Sequence, residues 1–156
     1  MAGSSNEIWY RIGEVARQLG IAVETIRMYE RSGILLIEKT KTGQRIFNED
    51  DIHWINCIRR LIKEQGLNLE GIRRLLALMP CWDLRPCTKE ERDVCPAFDG
   101  AIKPCWTMKS EIPESCRADN CRLCNVYQGA IHCENLKKVL YGTNPQKRKM
   151  KINTGV

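Results

Sequence analysis

Four cysteines crowd into "CWDLRPCTKEERDVCPAFDGAIKPCW", which runs from Cys81 to Trp106, and eight of the chain's nine cysteines lie between Cys81 and Cys133. Prolines 80, 86, 96, 104 and 113 interrupt the same region, and its apolar residues keep no steady period. A segment of this kind cannot bury a continuous apolar face, so side-chain packing alone is a poor way to organise it. A bound metal centre can supply the missing organisation, because its binding free energy becomes folding free energy. The start, "MAGSSNEIWY", lacks the basic residues and apolar stretch of a secretory signal, so the expected location is the cytoplasm, where thiols stay reduced. There, clustered cysteines point to metal binding or redox chemistry rather than to a disulfide framework. No apolar run approaches the ~20 residues of a membrane helix.

The residues before Pro80 read differently. Ile12, Val15, Ala16 and Leu19 make one helical stripe, and Gly20 ends it. A second short helix spans about Val23 to Arg31 and stops at Ser32-Gly33. Two short helices joined by a glycine turn form a helix-turn-helix. Ile34 to Ile37 and Arg45 to Phe47 read as strands of a hairpin turning at Lys41-Thr42-Gly43. Such a wing presents Lys41, Gln44 and Arg45 near its tip, suited to phosphate contact. Asn48, with Asp51 three residues on, caps a third helix whose buried face is Ile52, Ile55, Ile58, Leu61 and Ile62. Gly66 ends that helix. Asn68 opens a fourth, with Leu69, Ile72, Leu75, Leu76 and Met79 on one side. Cys57, among the apolar positions of the third helix, reads as a small core residue outside any metal site.

"YRIGEVARQLGIAVETIRMYERSGIL", "TGQRIFNEDDI" and "EQGLNLEGIRRLL" together resemble the MerR family of transcriptional regulators, over about Tyr10 to Leu78. "GQR" and "GLNLEGI" resemble its HspR heat-shock repressor branch most. Met28 stands where many relatives have tyrosine. The resemblance implies a winged helix-turn-helix that binds pseudo-palindromic promoter DNA as a homodimer and works with RNA polymerase. By motif match, Thr25, Arg27 and Tyr29 face DNA and Arg45 contacts phosphate. An exposed helix fits the major groove, and Arg and Tyr fix register on the backbone.

The expected architecture is mainly α. Residues 1–79 form the winged helix-turn-helix, residues 80–141 an irregular cysteine-rich metal-binding and dimerisation region with a late helix over 122–141, and residues 142–156 a basic tail. The effector position of the family falls on Cys81, Cys87, Cys95, Cys105, Cys116, Cys121, Cys124 and Cys133, which are the candidate metal ligands. Abundant Cys against only two His, His53 and His132, favours an all-thiolate site. An iron–sulfur cluster, [4Fe-4S] or [2Fe-2S], is the leading reading. Structural zinc, with His132 available, and thiol–disulfide switching are the alternatives. The C-x4-C-x2-C of Cys116, Cys121 and Cys124 has a ferredoxin-like spacing, whereas the tight cysteine cluster of the SoxR branch is absent. The two Cys-Trp pairs also resemble a cysteine-rich module of bacterial signalling proteins. Trp82 and Trp106 either shield a cluster from water or serve as the hydrophobic anchors of a small domain.

Charge adds a partner. The chain carries +6, of which Lys147, Arg148, Lys149 and Lys151 supply +4 in a tail without acids, and such a tail suits a polyanion such as DNA. The sequence presents no catalytic triad, phosphate loop or paired carboxylates, so no enzyme is expected. An iron–sulfur electron carrier with a recruited helical domain is the remaining rival.

Overall fold

The computed structural model describes residues 6–100 and 102–132. The expectations for Cys133, the later part of the helix predicted over 122–141, and the basic tail lie outside these residues.

Strand β1 (Tyr10–Arg11) leads directly into α1 (Ile12–Leu19), which Gly20 closes in the left-handed conformation, its amide on the Ala16 and Arg17 carbonyls. Helix α2 (Val23–Arg31) follows, then β2 (Glu38–Lys39) and β3 (Arg45–Phe47). The sheet is antiparallel in the order β1-β3-β2, with Tyr10 opposite Phe47 and Glu38 opposite Ile46. Two residues are too few to show alternation, which is why β1 escapes sequence reading. The strand expected over 34–37 lies further along instead. Side chains take the backbone groups that a ladder would use: the Trp54 indole donates to the Ile34 carbonyl at 2.9 Å, and the Leu36 amide donates to the Tyr127 hydroxyl at 3.0 Å.

Helix α3 (Glu49–Lys63) starts at the predicted cap: Asn48 and Asp51 exchange side-chain and backbone hydrogen bonds of 2.9 and 3.0 Å. Helix α4 (Leu69–Ala77) is capped by Asn68. Arg73 of α4 reaches back with two nitrogens to the Ser32 carbonyl, which binds α4 to the end of α2.

After Pro80 the elements shorten. Helices α5 (Cys81–Leu84), α6 (Lys89–Val94), α7 (Glu114–Arg117) and α8 (Asn125–Ala130) alternate with 3-10 turns at Cys105–Thr107 and Cys121–Leu123. The late helix begins at Asn125 rather than at residue 122, because Cys121–Leu123 tighten into the 3-10 turn and Cys124 takes an extended cap conformation. Among the described residues no helix is long and apolar enough to cross a membrane.

One apolar core runs across residue 80. Val15, Ile26, Ile34, Phe47, Ile55, Ile58 and Ile72 join Trp106, Val126, Tyr127 and Ile131 in a single buried cluster. Burying each such side chain contributes about 1.5–3 kcal/mol, so the cysteine-rich segment is held to the first half chiefly by this packing. Cys57 is buried in that core as expected, but it is disulfide-bonded rather than a free thiol. The other described cysteines, seven in all, are free.

Candidate functional site

Those seven free thiols converge. Cys81, Cys87, Cys95, Cys105, Cys116, Cys121 and Cys124 all line one cavity of about 50 Å³, several times the ~10–15 Å³ that one water needs. The short elements explain the convergence. Cys81 opens α5 and Cys95 caps the end of α6, while Cys105 and Cys121 each open a 3-10 turn. Cys116 sits in α7 and Cys124 caps α8. Each of these elements contributes one thiol to the cavity lining. Phe98, Trp106, Ile112, Val126 and Tyr127 supply apolar walls.

Trp106 lines the cavity. Trp82 is not among the lining residues; it stacks edge-on against Phe98, which is. Neither histidine lines the cavity: His132 lies beside His53, with ring centroids 6.2 Å apart.

Burial pushes the Cys81 thiol up to about 11 and the Cys105 thiol up to about 12. Neighbouring thiols push the same way: Cys95, Cys87 and Cys116 act on Cys81, and Cys81, Cys121, Cys124 and Cys116 act on Cys105. A second influence opposes this at the rim. Arg85 donates to Cys116 Sγ at 3.5 Å, is anchored on Asp119 at 2.6 Å, and pulls the Cys116 thiol down against a larger upward effect of burial. Lys109 does the same for Cys121.

The donors in the lining are mostly soft thiols, with the carboxylates Glu91 and Asp119 beside them, and thiols suit thiophilic metals. Among the described residues no three Cys, His, Asp or Glu side chains are close enough to share one metal ion. A tetrahedral zinc, with Zn–S near 2.3 Å, needs its four sulfurs within about 3.8 Å of one another. A cluster distributes its thiolates over several irons bridged by sulfide, so its ligands stand further apart.

The second surface lies on α2 and the wing. Arg27 is exposed, 3.9 Å from Glu24, and Met28 beside it is exposed too. Lys41 and Gln44 are exposed at the hairpin, whose ends Thr40 and Gln44 hold together. Arg45 is half-buried and turns back to form an ion pair with Glu30 of α2. Tyr29 is only 3% exposed. Its ring packs inward, and it lines a separate pocket with half-buried Thr25 and with Arg59 and Lys63 of α3. Sequence reading placed Tyr29 with Arg27 because both belong to one motif, but their spacing of two puts them on different sides of a helix.

Arg122 escaped the sequence reading. It lies between Cys121 and Cys124 and is one of few buried charges in the described chain, with Asp51 as its partner at 2.7 Å. The signal in the sequence was an arginine inside a Cys-x2-Cys.

Comparison with known proteins agrees with the first half. Residues 10–78 match the model of the MerR HTH family regulatory protein. The HTH-type transcriptional regulator ZntR of Escherichia coli (strain K12) is 37% identical over 70 residues, 44% of this chain and 49% of its own. The mercuric resistance operon regulatory protein of Bacillus cereus is 37% identical over 71 residues, 45% of this chain and 53% of its own. The putative heat shock protein HspR of Streptomyces coelicolor is 26% identical over 110 residues, 70% of this chain and 72% of its own. The chain spans about half the length of the first of these relatives. No solved structure matches it. Residues 10–78 are thus a helix-turn-helix domain of the MerR family.

Proposed function

We propose that the protein is a transcriptional regulator that binds promoter DNA as a homodimer and acts with RNA polymerase. Its promoter binding is controlled by an iron–sulfur cluster held in the thiol-lined cavity. Arg27 and Thr25 of α2 meet the DNA, with Lys41 and Gln44 at the wing. Arg45 stiffens the wing through Glu30, and Tyr29 supports α2 from inside. The ligands come from Cys81, Cys87, Cys95, Cys105, Cys116, Cys121 and Cys124.

The observation that carries this reading is the convergence of seven free cysteines on one cavity whose wall also touches the DNA-binding half. Trp106 and Tyr127 line the cavity, and the same two side chains hydrogen-bond to Gly33 and Leu36. A bound cluster supplies sensitivity to oxidant and to iron supply. The chain's own residues exclude water from it and place the nearby cations Arg85 and Lys109. The relatives named for mercuric resistance and heat shock lend support to a stress-responsive regulator.

The test is the visible spectrum of anaerobically purified protein, with iron, sulfide and zinc assayed on the same sample and DNA binding measured in each state. Matched iron and sulfide with state-dependent DNA affinity is expected. Colourless protein with stoichiometric zinc and constant affinity would replace the cluster with a structural site. Electron transfer to an acceptor without DNA binding would make the chain an electron carrier.

A further inference from the structure

Arg122 connects two places that the sequence keeps far apart. Its backbone belongs to the cavity: it sits in the 3-10 turn between Cys121 and Cys124, both of which line the thiol cluster. The turn is held on both sides of its peptide. The Arg122 amide donates to the Asn120 side chain at 3.1 Å, and its carbonyl accepts from the Gln128 amide at 2.6 Å. Its side chain leaves in another direction and is 8% exposed. One guanidinium nitrogen meets Asp51 Oδ2 at 2.7 Å, the guanidinium lies 5.4 Å from the Trp9 ring, and a second nitrogen is 4.0 Å from Glu38 of β2.

Asp51 is no ordinary surface acid. It is 1% exposed, and the same Oδ2 accepts the Asn48 amide that joins β3 to α3. The ion pair therefore ties the floor of the thiol cavity to the corner where the wing hands over to α3. A buried pair of this kind is costly to leave broken, since either partner alone is an uncompensated buried charge. Among the described residues, Arg122 Nε is buried without a hydrogen-bond partner, so the pair is incompletely satisfied there. Glu38, on the wing strand, is the next acceptor within reach.

We propose that Arg122 and Asp51 form the relay through which occupancy of the thiol cavity sets the position of the wing and α3. Ligation of Cys121 and Cys124 fixes their turn and holds Arg122 on Asp51. Loss of the bound centre frees the turn, releases Arg122 from Asp51 and loosens the β3–α3 corner. This rests on the reading that the cavity holds a metal centre. Both residues are positioning residues, because neither is proposed to touch DNA or metal. Coupling of two sites through one element is the requirement for allostery, and such couplings usually amount to about 5–150-fold.

The test uses the full chain, either reconstituted with iron and sulfide or stripped with a chelator. Hydrogen exchange is followed over residues 38–52, and affinity is measured for a duplex selected by the wild type from a random-sequence library. In the wild type, loading should slow exchange at residues 48–52 and change affinity at least about fivefold. Arg122→Gln should take up the same iron, keep protection within α1 and α2, and lose both differences, its affinity ratio falling to about one. Arg122→Lys should restore part of the difference. A merely structural role would shift both states together and leave the ratio alone. If Arg122→Gln does not fold, Asp51→Asn carries the same expectation. Equal iron uptake with a wild-type ratio and wild-type exchange in these variants overturns the relay while the metal reading stands. A wild type that binds no metal overturns both.

Discussion

Residues 10–78 and residues 81–132 are built on different principles within one core. The first region is made of helices of eight to fifteen residues with apolar stripes, caps and glycine stops. Its secondary structure follows from local sequence, and its core follows from the stripes. The second region has helices of four to six residues, and α5, α6 and α7 have no buried residue. What it buries comes mainly from the second 3-10 turn, α8 and the segment around Trp106 to Ile112, pressed against the first region. The first region carries its own organisation, and the second borrows a wall from it and lines a cavity with its thiols.

Removing the shared wall should have the largest effect. Tyr127 is 1% exposed, packs edge-on against Trp106 at 5.2 Å and bonds to Leu36. Tyr127→Ala should cost about 3–5 kcal/mol, seen as a lower urea midpoint. Loss of structure confined to residues 81–132, with residues 10–78 unchanged, would show that the dependence runs one way only. A lower midpoint for both regions would make them one cooperative unit.

A smaller loss should come from the other face of the same contact. Gly33 has φ +84°, and a Cβ there would stand 2.6 Å from Thr107 Cγ2. Trp106 meanwhile donates to the Gly33 carbonyl at 2.6 Å. Gly33→Ala combines a left-handed alanine with overpacking, each worth roughly 1–3 kcal/mol. The melting temperature should fall, and Thr107→Ser or Thr107→Ala in the same chain should recover the overpacking part alone. No recovery would mean that backbone strain accounts for the whole effect.

These contacts also mark the limit of what sequence reading reached. The cap at Asn48 and Asp51, the stop at Gly20 and the helical stripes are local, and each is readable within a few residues. The eight cysteines from Cys81 to Cys133 pointed to a candidate site, and seven of them line one cavity. Three things could not be read. Trp54 takes the carbonyl of Ile34, so the expected strand is displaced toward β2. Tyr29 turns inward although it shares a motif with Arg27. Arg122 finds Asp51 across 71 residues. Each depends on which side chain a distant element leaves exposed, and periodicity carries no such information.

The DNA surface separates the regions by another measure, with a smaller effect on stability. Arg27 is exposed with only a 3.9 Å contact to Glu24, so Arg27→Ala should leave the midpoint within ~0.5 kcal/mol. It should weaken DNA binding at all salt concentrations and lower the slope of log affinity against log salt by about one. Arg45→Ala should change that slope less, because Glu30 already holds its guanidinium. Equal slopes for the two variants would mean that Arg45 leaves Glu30 when DNA binds.

The smallest effect at neutral pH should be the most selective for the second region. In metal-free protein, burial and neighbouring thiols raise Cys81 to about 11 and Cys105 to about 12, above the ordinary thiol value of 9.0. Below pH 9 both are protonated in the folded and the unfolded chain, and their contribution does not vary. As pH rises past 9 the unfolded chain loses these protons first, and the fold must keep them or bury a charge. Stability should therefore be lost progressively between about pH 9 and pH 11–12. Cys105→Ser should flatten that loss. The loss should appear first in hydrogen exchange of residues 81–132. An equal loss within α1 and α3, which carry no raised thiol, would show that the two regions respond to the cavity as one body.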